Sequence, residues 1–157
     1  MKPLKLDHSE QKILSLLQAD GRLSNTRLAE QVGLSDSPCF RRVKQLEQAG
    51  LIKNYVAIVD QRLLGLDITA FVQVTLEDHT SYDRDELRQC VMDEKHIIEC
   101  HAMSGAYDFL MKVVARNMDH FSDIALKRIL KFPGVKSIES SFNLQAMKCS
   151  HALPVEP

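Results

Sequence analysis

Apolar positions along the 157-residue chain follow two rhythms, and the change between them divides it. Up to residue 50 the spacing is helical. In "LDHSEQKILSLLQADGR" Ile13, Leu14, Leu16 and Leu17 follow a cap at Asp7 or Ser9 and stop near Asp20-Gly21. In "LSNTRLAEQVGLS" Ser24 is the cap, Leu28, Ala29 and Val32 share one face, and Gly33 makes the turn. The third segment, "SDSPCFRRVKQLEQAG", carries a proline near its start. Proline costs about 3 kcal/mol in a helix interior but almost nothing in a first turn, so the helix begins here, capped by Ser35 or Ser37 and stopped by Gly50. At 100° per residue Cys39, Phe40, Val43 and Leu46 form its core face. Ser37, Arg41, Lys44, Gln45 and Gln48 lie opposite, with Arg42 at the edge. Helix, short helix, tight turn, helix is a helix-turn-helix. The β-rich "LIKNYVAIV" after it predicts a winged variant, with Leu51, Tyr55 and Val56 covering the three-helix core.

"DQRLLGLD" breaks the helical rhythm, and residues 61–68 read as a hinge between a domain at 1–60 and another at 69–157. Beyond it a two-residue period appears in "TAFVQVTLE" (Ala70, Val72, Val74, Leu76), then a helix in "DRDELRQCVMD". Strands "IIECHAMS" and "FLMKVVA" are joined by a short hairpin, "MDHFSDIALKRIL" is a second helix, and Pro133-Gly134 turns into a last strand, "VKSIESSFNLQAMK". The order βαββαβ predicts a ferredoxin-like antiparallel sheet with both helices on one face, and the fold class is α+β. The other face, with Phe71 or Phe142 on it, needs cover, and a second copy supplies it as a homodimer.

Charge sharpens the division. Residues 1–60 hold nine Lys/Arg against seven Asp/Glu, and residues 61–157 hold eleven against fourteen, so only the first part suits a polyanion. No apolar run approaches the roughly 20 residues that cross a bilayer, and "MKPLKLDHSE" lacks a signal-peptide core, so a cytoplasmic protein without a membrane partner is expected. The four cysteines (Cys39, Cys90, Cys100, Cys149) have no metal-site spacing and are expected to be reduced, mostly buried thiols. No nucleophile elbow, metal box or phosphate loop is present, so neither an enzyme nor a metal site is expected.

In a helix-turn-helix the third helix enters the DNA major groove with its N-terminal part. Ser35, Ser37, Pro38, Arg41 and Arg42 lie nearest, Lys44 and Gln45 further along, and Ser24, Asn25 and Lys53 are candidates for backbone contact. Arginine to guanine is the commonest specific contact, so Arg41 or Arg42 is the expected base reader, a phosphate contact being the alternative for each.

"LDxxxxxILxxLQxDGRxSNxxLAxxVGLSxSPCxxRVxxLExxGxI", with "SGxYD" at 104–108, "PGV" at 133–135 and "SSF" at 140–142, resembles the Lrp/AsnC (leucine-responsive and asparagine-responsive) transcription regulators from about Leu6 to Pro154. The resemblance implies a sequence-specific regulator of double-stranded DNA that has no cofactor but answers to a small effector, commonly an amino acid. It also implies dimers that assemble further, commonly to octamers. It puts the effector at Met103, Ser104, Gly105, Ala106, Tyr107 and Asp108, with Ser140, Ser141 and Phe142 contributed by an adjoining chain. Position 106 is alanine where relatives often carry an acidic residue. The residues alone leave open a simple turn at Gly105 with Asp108 capping local N–H groups, and a DNA-compacting role for the whole.

Overall fold

The computed structural model describes residues 4–77 and 84–155. They form two compact units, one of residues up to Ile58 together with those from Lys148 on, the other Val59–Met147.

The first unit is built on α1 (His8–Ala19), α2 (Asn25–Val32) and α3 (Asp36–Gln48). Asp7, not Ser9, caps α1: its carboxylate accepts from the Glu10 N–H, and the Glu10 carboxylate accepts from the Asp7 N–H, both at 2.9 Å. Ser24 caps α2, and Gly33 ends it with φ of 81°, a left-handed conformation that glycine adopts without penalty. Pro38 is the third residue of α3. The first N–H to bond back along the helix is that of Cys39, to the Ser35 carbonyl at 3.1 Å, so the missing proline donor costs nothing.

The core of this unit is Ile13, Leu14, Leu28, Ala29, Cys39 and Leu46. Phe40 is not part of it, being 54% exposed. The expected cover after Gly50 is also different in detail. Ile52 packs on the core, Tyr55 lies over Gly21, and Val56 stands in solvent. Residues 53–60 adopt no regular secondary structure. From the other end of the sequence Val155 joins the same core, and the Gln18 amide clasps the Leu153 backbone, donating to its carbonyl at 3.1 Å and accepting from its N–H at 2.6 Å. This explains why residues 148–155 group with the helices instead of the sheet.

The second unit comprises β1 (Ile68–Leu76), α4 (Arg84–Asp93), β2 (Ile97–Ala102), β3 (Phe109–Ala115), α5 (Met118–Lys127), a short 3-10 turn at Ile129–Lys131, and β4 (Val135–Phe142). Asp83, from which the sequence pattern starts this helix, lies outside the described residues. The final strand ends at Phe142, without residues 143–148. Strand order is β2-β3-β1-β4, every pairing antiparallel, the ferredoxin-like arrangement. The segment read as a hinge is an ordered turn. Asp60 accepts from the N–H groups of Arg62 and Leu63, and the Gln61 amide reaches the Leu66 carbonyl and the Thr69 hydroxyl.

Alternation sorts the sheet into two faces. Ala70, Val72, Val74, Met111 and Val113 are fully buried with Ile124 and Ile129 on the helix side. Phe142 belongs there as well, opposite Ala70 and edge-on to Phe121 at 4.9 Å, so of the two phenylalanines only Phe71 lies on the open face. That face is mostly polar, with Lys112 and Ser141 flanking Phe71. The cysteines are free, but only Cys39 is buried, Cys90 and Cys100 being half-buried and Cys149 exposed.

Glu94, at the end of α4, is 8% exposed and accepts from Arg128 and His96, each at 2.7 Å. Burial pushes its pKa up, but the hydrogen bonds from Arg128 and His96 outweigh that and hold it at about 2 against an ordinary 4.5. Its contribution to stability is therefore present above about pH 4.5 and is lost as pH falls toward 2. Glu94→Gln should lower stability near neutrality by roughly 2 to 3 kcal/mol, and the difference from wild type in denaturant titrations should close across that acid interval.

Candidate functional sites: a helix face and a sheet cavity

The buried stripe of α3, Cys39 and Leu46, decides what the rest of the helix can present. Ser37, Arg41, Lys44, Gln45 and Gln48 are exposed on the opposite side, as the spacing predicts. The start of the helix is pinned from α2: the Asn25 amide donates to the Asp36 carbonyl at 2.9 Å and the Thr26 hydroxyl to the Asp36 carboxylate at 3.2 Å. Asn25 thus spends one of its two amide donors inside the protein. Ser24 spends its hydroxyl oxygen on the Arg27 N–H, while Ser35, whose side chain makes no capping bond, Ser37 and Lys53 are exposed, and Pro38 is half-buried at the helix tip.

The two arginines part company. Arg42 is half-buried and tied to the Asp7 carboxylate, with Glu10 at 3.6 Å, so it braces α3 against the start of α1. The Asp7 carboxyl is held below its usual range, first by the Glu10 N–H and then by Arg42. Arg41 is exposed and makes no ion pair among the described residues. Lys44 pairs with Glu47 at 2.6 Å and stands 5.8 Å over the Phe40 ring. The Glu47 carboxyl, bonded by Lys44 and reached by the Tyr55 hydroxyl, is lowered likewise. What remains is a polar, cationic surface one helix wide, with a phenylalanine on its flank. The exposure of Phe40 was readable in the spacing, since it lies about 100° round from Cys39.

On the second unit, the Met103–Asp108 hairpin closes through the Met103 N–H to the Asp108 carbonyl at 2.8 Å. Asp108 is fixed twice more, its N–H to the Val74 carbonyl and its carboxylate accepting from the Leu76 N–H at 2.8 Å. It therefore does cap local backbone. Gly105 is different. Its φ is not left-handed, and a Cβ there would meet nothing within 4 Å, so neither the turn nor the packing of the protomer requires glycine.

Met103 and Asp108 open onto a cavity of about 600 Å³ between α4 and the sheet. Leu87, Val91 and Met111 make its apolar wall, and Arg84 and Arg88 bring positive charge from α4, a contribution the hairpin motif gave no reason to expect. Ala106 and Tyr107 face the other way, onto a smaller pocket of about 380 Å³ with Gln73, Thr75, Ser137, Ile138 and Glu139. Within the protomer Ser140, Ser141 and Phe142 do not join the hairpin. They pair further along β1, Ser140 and Phe142 toward the helices and Ser141 on the open face. Among the described residues no cluster of three or more His, Cys, Asp or Glu could hold a metal ion.

Residues 6–53 match the model of a winged helix-turn-helix DNA-binding domain, and residues 69–153 match that of the Lrp/AsnC ligand binding domain. The DNA-binding transcriptional activator DecR of Escherichia coli K12 is 34% identical over 96% of this chain and 99% of its own. The leucine-responsive regulatory protein of the same strain is 32% identical over 96% and 92%. Among solved structures, that of the regulator NMB0573 from Neisseria meningitidis, a complex with L-Met, superposes with TM-score 0.90 at 36% identity, covering 96% of this chain and 97% of that one.

The geometry separates the two arginines experimentally. Arg42→Ala should lower the melting temperature by releasing α3 from α1. Arg41→Ala should leave melting within about 0.5 kcal/mol of wild type while relaxing base preference at one or two positions of a selected duplex. A uniform loss of affinity across sequences would make Arg41 a phosphate contact.

Proposed function

The chain belongs to the Lrp/AsnC family of DNA-binding transcriptional regulators, and from that membership we propose that its DNA binding is switched by an apolar amino acid of about methionine's size. The observation that carries this reading is the cavity under the hairpin, whose volume is within the usual range for small-molecule sites. An amino-acid zwitterion asks for three things. Its carboxylate needs cationic or N–H donors, its ammonium needs an acceptor, and its side chain needs a wall of matching polarity. Arg84 and Arg88, Asp108, and Leu87, Val91 and Met111 are of those three kinds. The relative solved with L-Met is in keeping with such a wall.

In this reading Met103 and Asp108 line the site, and Ser104, Gly105, Ala106 and Tyr107 offer backbone donors from the exposed hairpin. Gly105 is then kept for the close approach of something outside the protomer, since the protomer itself makes no demand on it. Ser140 and Ser141 would act only from an adjoining copy. Phe142 is not retained, because its ring is engaged with Phe121.

On the first unit, Arg41 and Gln45 read bases and Ser35, Ser37, Pro38, Lys44 and Lys53 lie along the backbone, with Arg42 and Asn25 positioning the helix. The assembled particle is a homodimer that assembles further, to an octamer. A ligand alters DNA affinity only by binding two arrangements of that assembly unequally, so the effector acts on the spacing between recognition helices.

A thermal-shift series tests the effector. L-methionine or L-leucine at 100 times its Kd should stabilise the protein by about 2.7 kcal/mol, whereas L-aspartate and L-lysine should not. Arg88→Met should abolish the shift, and Gly105→Ala should reduce it without changing the melting temperature of the free protein. Equal shifts from polar and apolar amino acids would defeat the proposal. Light scattering with and without the effector checks the route, and identical particles with altered DNA affinity would argue against it.

A further inference from the structure

Phe40 is large, apolar and 54% exposed on the helix that otherwise presents Ser37, Arg41, Lys44 and Gln45. It is the fifth residue of α3, in the half that reaches base edges when such a helix lies in a major groove. The core offers it no place, since Cys39 and Leu46 fill the buried stripe, and the exposed ammonium of Lys44 stands 5.8 Å from its ring centre. In the free protein this apolar surface stays in water and contributes little.

The floor of the major groove is almost wholly hydrogen-bonding. Guanine shows two acceptors, cytosine a donor, and adenine one of each; thymine alone adds an apolar group, its C5 methyl. A phenyl ring pressed on any of the polar edges leaves that edge desolvated and unpaired, which is unfavourable. Pressed on a methyl, it removes apolar area from water on both sides. We propose that Phe40 is a specificity-determining residue that reads the thymine methyl, selecting for thymine by contact and against the other bases by what it cannot bond. Arg41, one position on, reads the neighbouring base edge, and Lys44, one turn on, brings charge toward the phosphates. The inference rests on the reading of α3 as the groove-binding helix.

The experiment starts from the consensus duplex that the full chain selects from a random-sequence pool. Each thymine is then replaced singly by deoxyuridine, which deletes the methyl and leaves base pairing intact. At one thymine position per half-site the wild type should lose about fourfold in affinity, the value of one buried methyl. At the same position Phe40→Ala should show no difference between thymine and uracil, and Phe40→Leu an intermediate one. Both variants should melt with the wild type, because the ring is not part of the core. Uracil costs that are equal in wild type and Phe40→Ala, or no sensitive thymine, would overturn this role; the latter is also the result expected if the ring wedged between base steps or docked a protein. If the pool yields no consensus, sequence-specific recognition itself fails and this inference falls with it.

Discussion

Cys39 and Leu46 sit two turns apart on one stripe of α3, and burying that stripe against Ile13, Leu28 and Ala29 leaves the helix no rotational freedom. Turning it by one residue would put Arg42 or Phe40 into a tightly packed interior, with either a buried charge or an overfilled core as the consequence. Everything the helix presents to solvent follows from this. The bonds from Asn25 and Thr26 to Asp36 and the brace from Arg42 to Asp7 fix the helix along its length and against its neighbours. They convert a buried thiol and a leucine into an aimed row of polar side chains. The same logic explains why Pro38 belongs here: it stiffens the tip without removing a bond the helix could have made.

The second unit solves a different problem with a different period. Its sheet packs one face against the helices, which do not close tightly over the β2–β3 end. There α4 and the hairpin leave a cavity whose walls are apolar and whose ends are charged. Asp108 is central to this corner because it has two duties. Its carbonyl closes the hairpin, its N–H and its carboxylate tie that hairpin to β1, and it still faces the cavity, so a ligand bound there would touch a residue that holds two strands together. Binding and hairpin geometry are thereby joined through one side chain.

Much of this was readable in residues. The strand in "FLMKVVA", the cap at Ser24, the turn at Gly33 and the ferredoxin-like order follow from period and punctuation, which are local properties. What escaped was decided by distant neighbours or by phase. Arg42 looked like a base reader because a helical wheel shows an exposed edge, but it cannot show that the start of α1 brings two carboxylates to that edge. The apolar character of Phe40 suggests a core residue, although its phase says otherwise. The size of Phe142 suggests the open face, while its register opposite Ala70 decides the matter. Arg84 and Arg88 carry no motif, and only the packing of α4 on the sheet brings them to the cavity that Asp108 also lines.

The clasp of Gln18 on Leu153 and the burial of Val155 mean that the three-helix unit is discontinuous in sequence. A ribosome that has made residues 1–60 has not yet made the segment that closes their core, and the whole sheet domain must emerge in between. The helices can gather early, since their contacts are local, but the unit is finished only after its neighbour has had time to fold. Synthesis order therefore makes the closing of the three-helix core the last step of the fold.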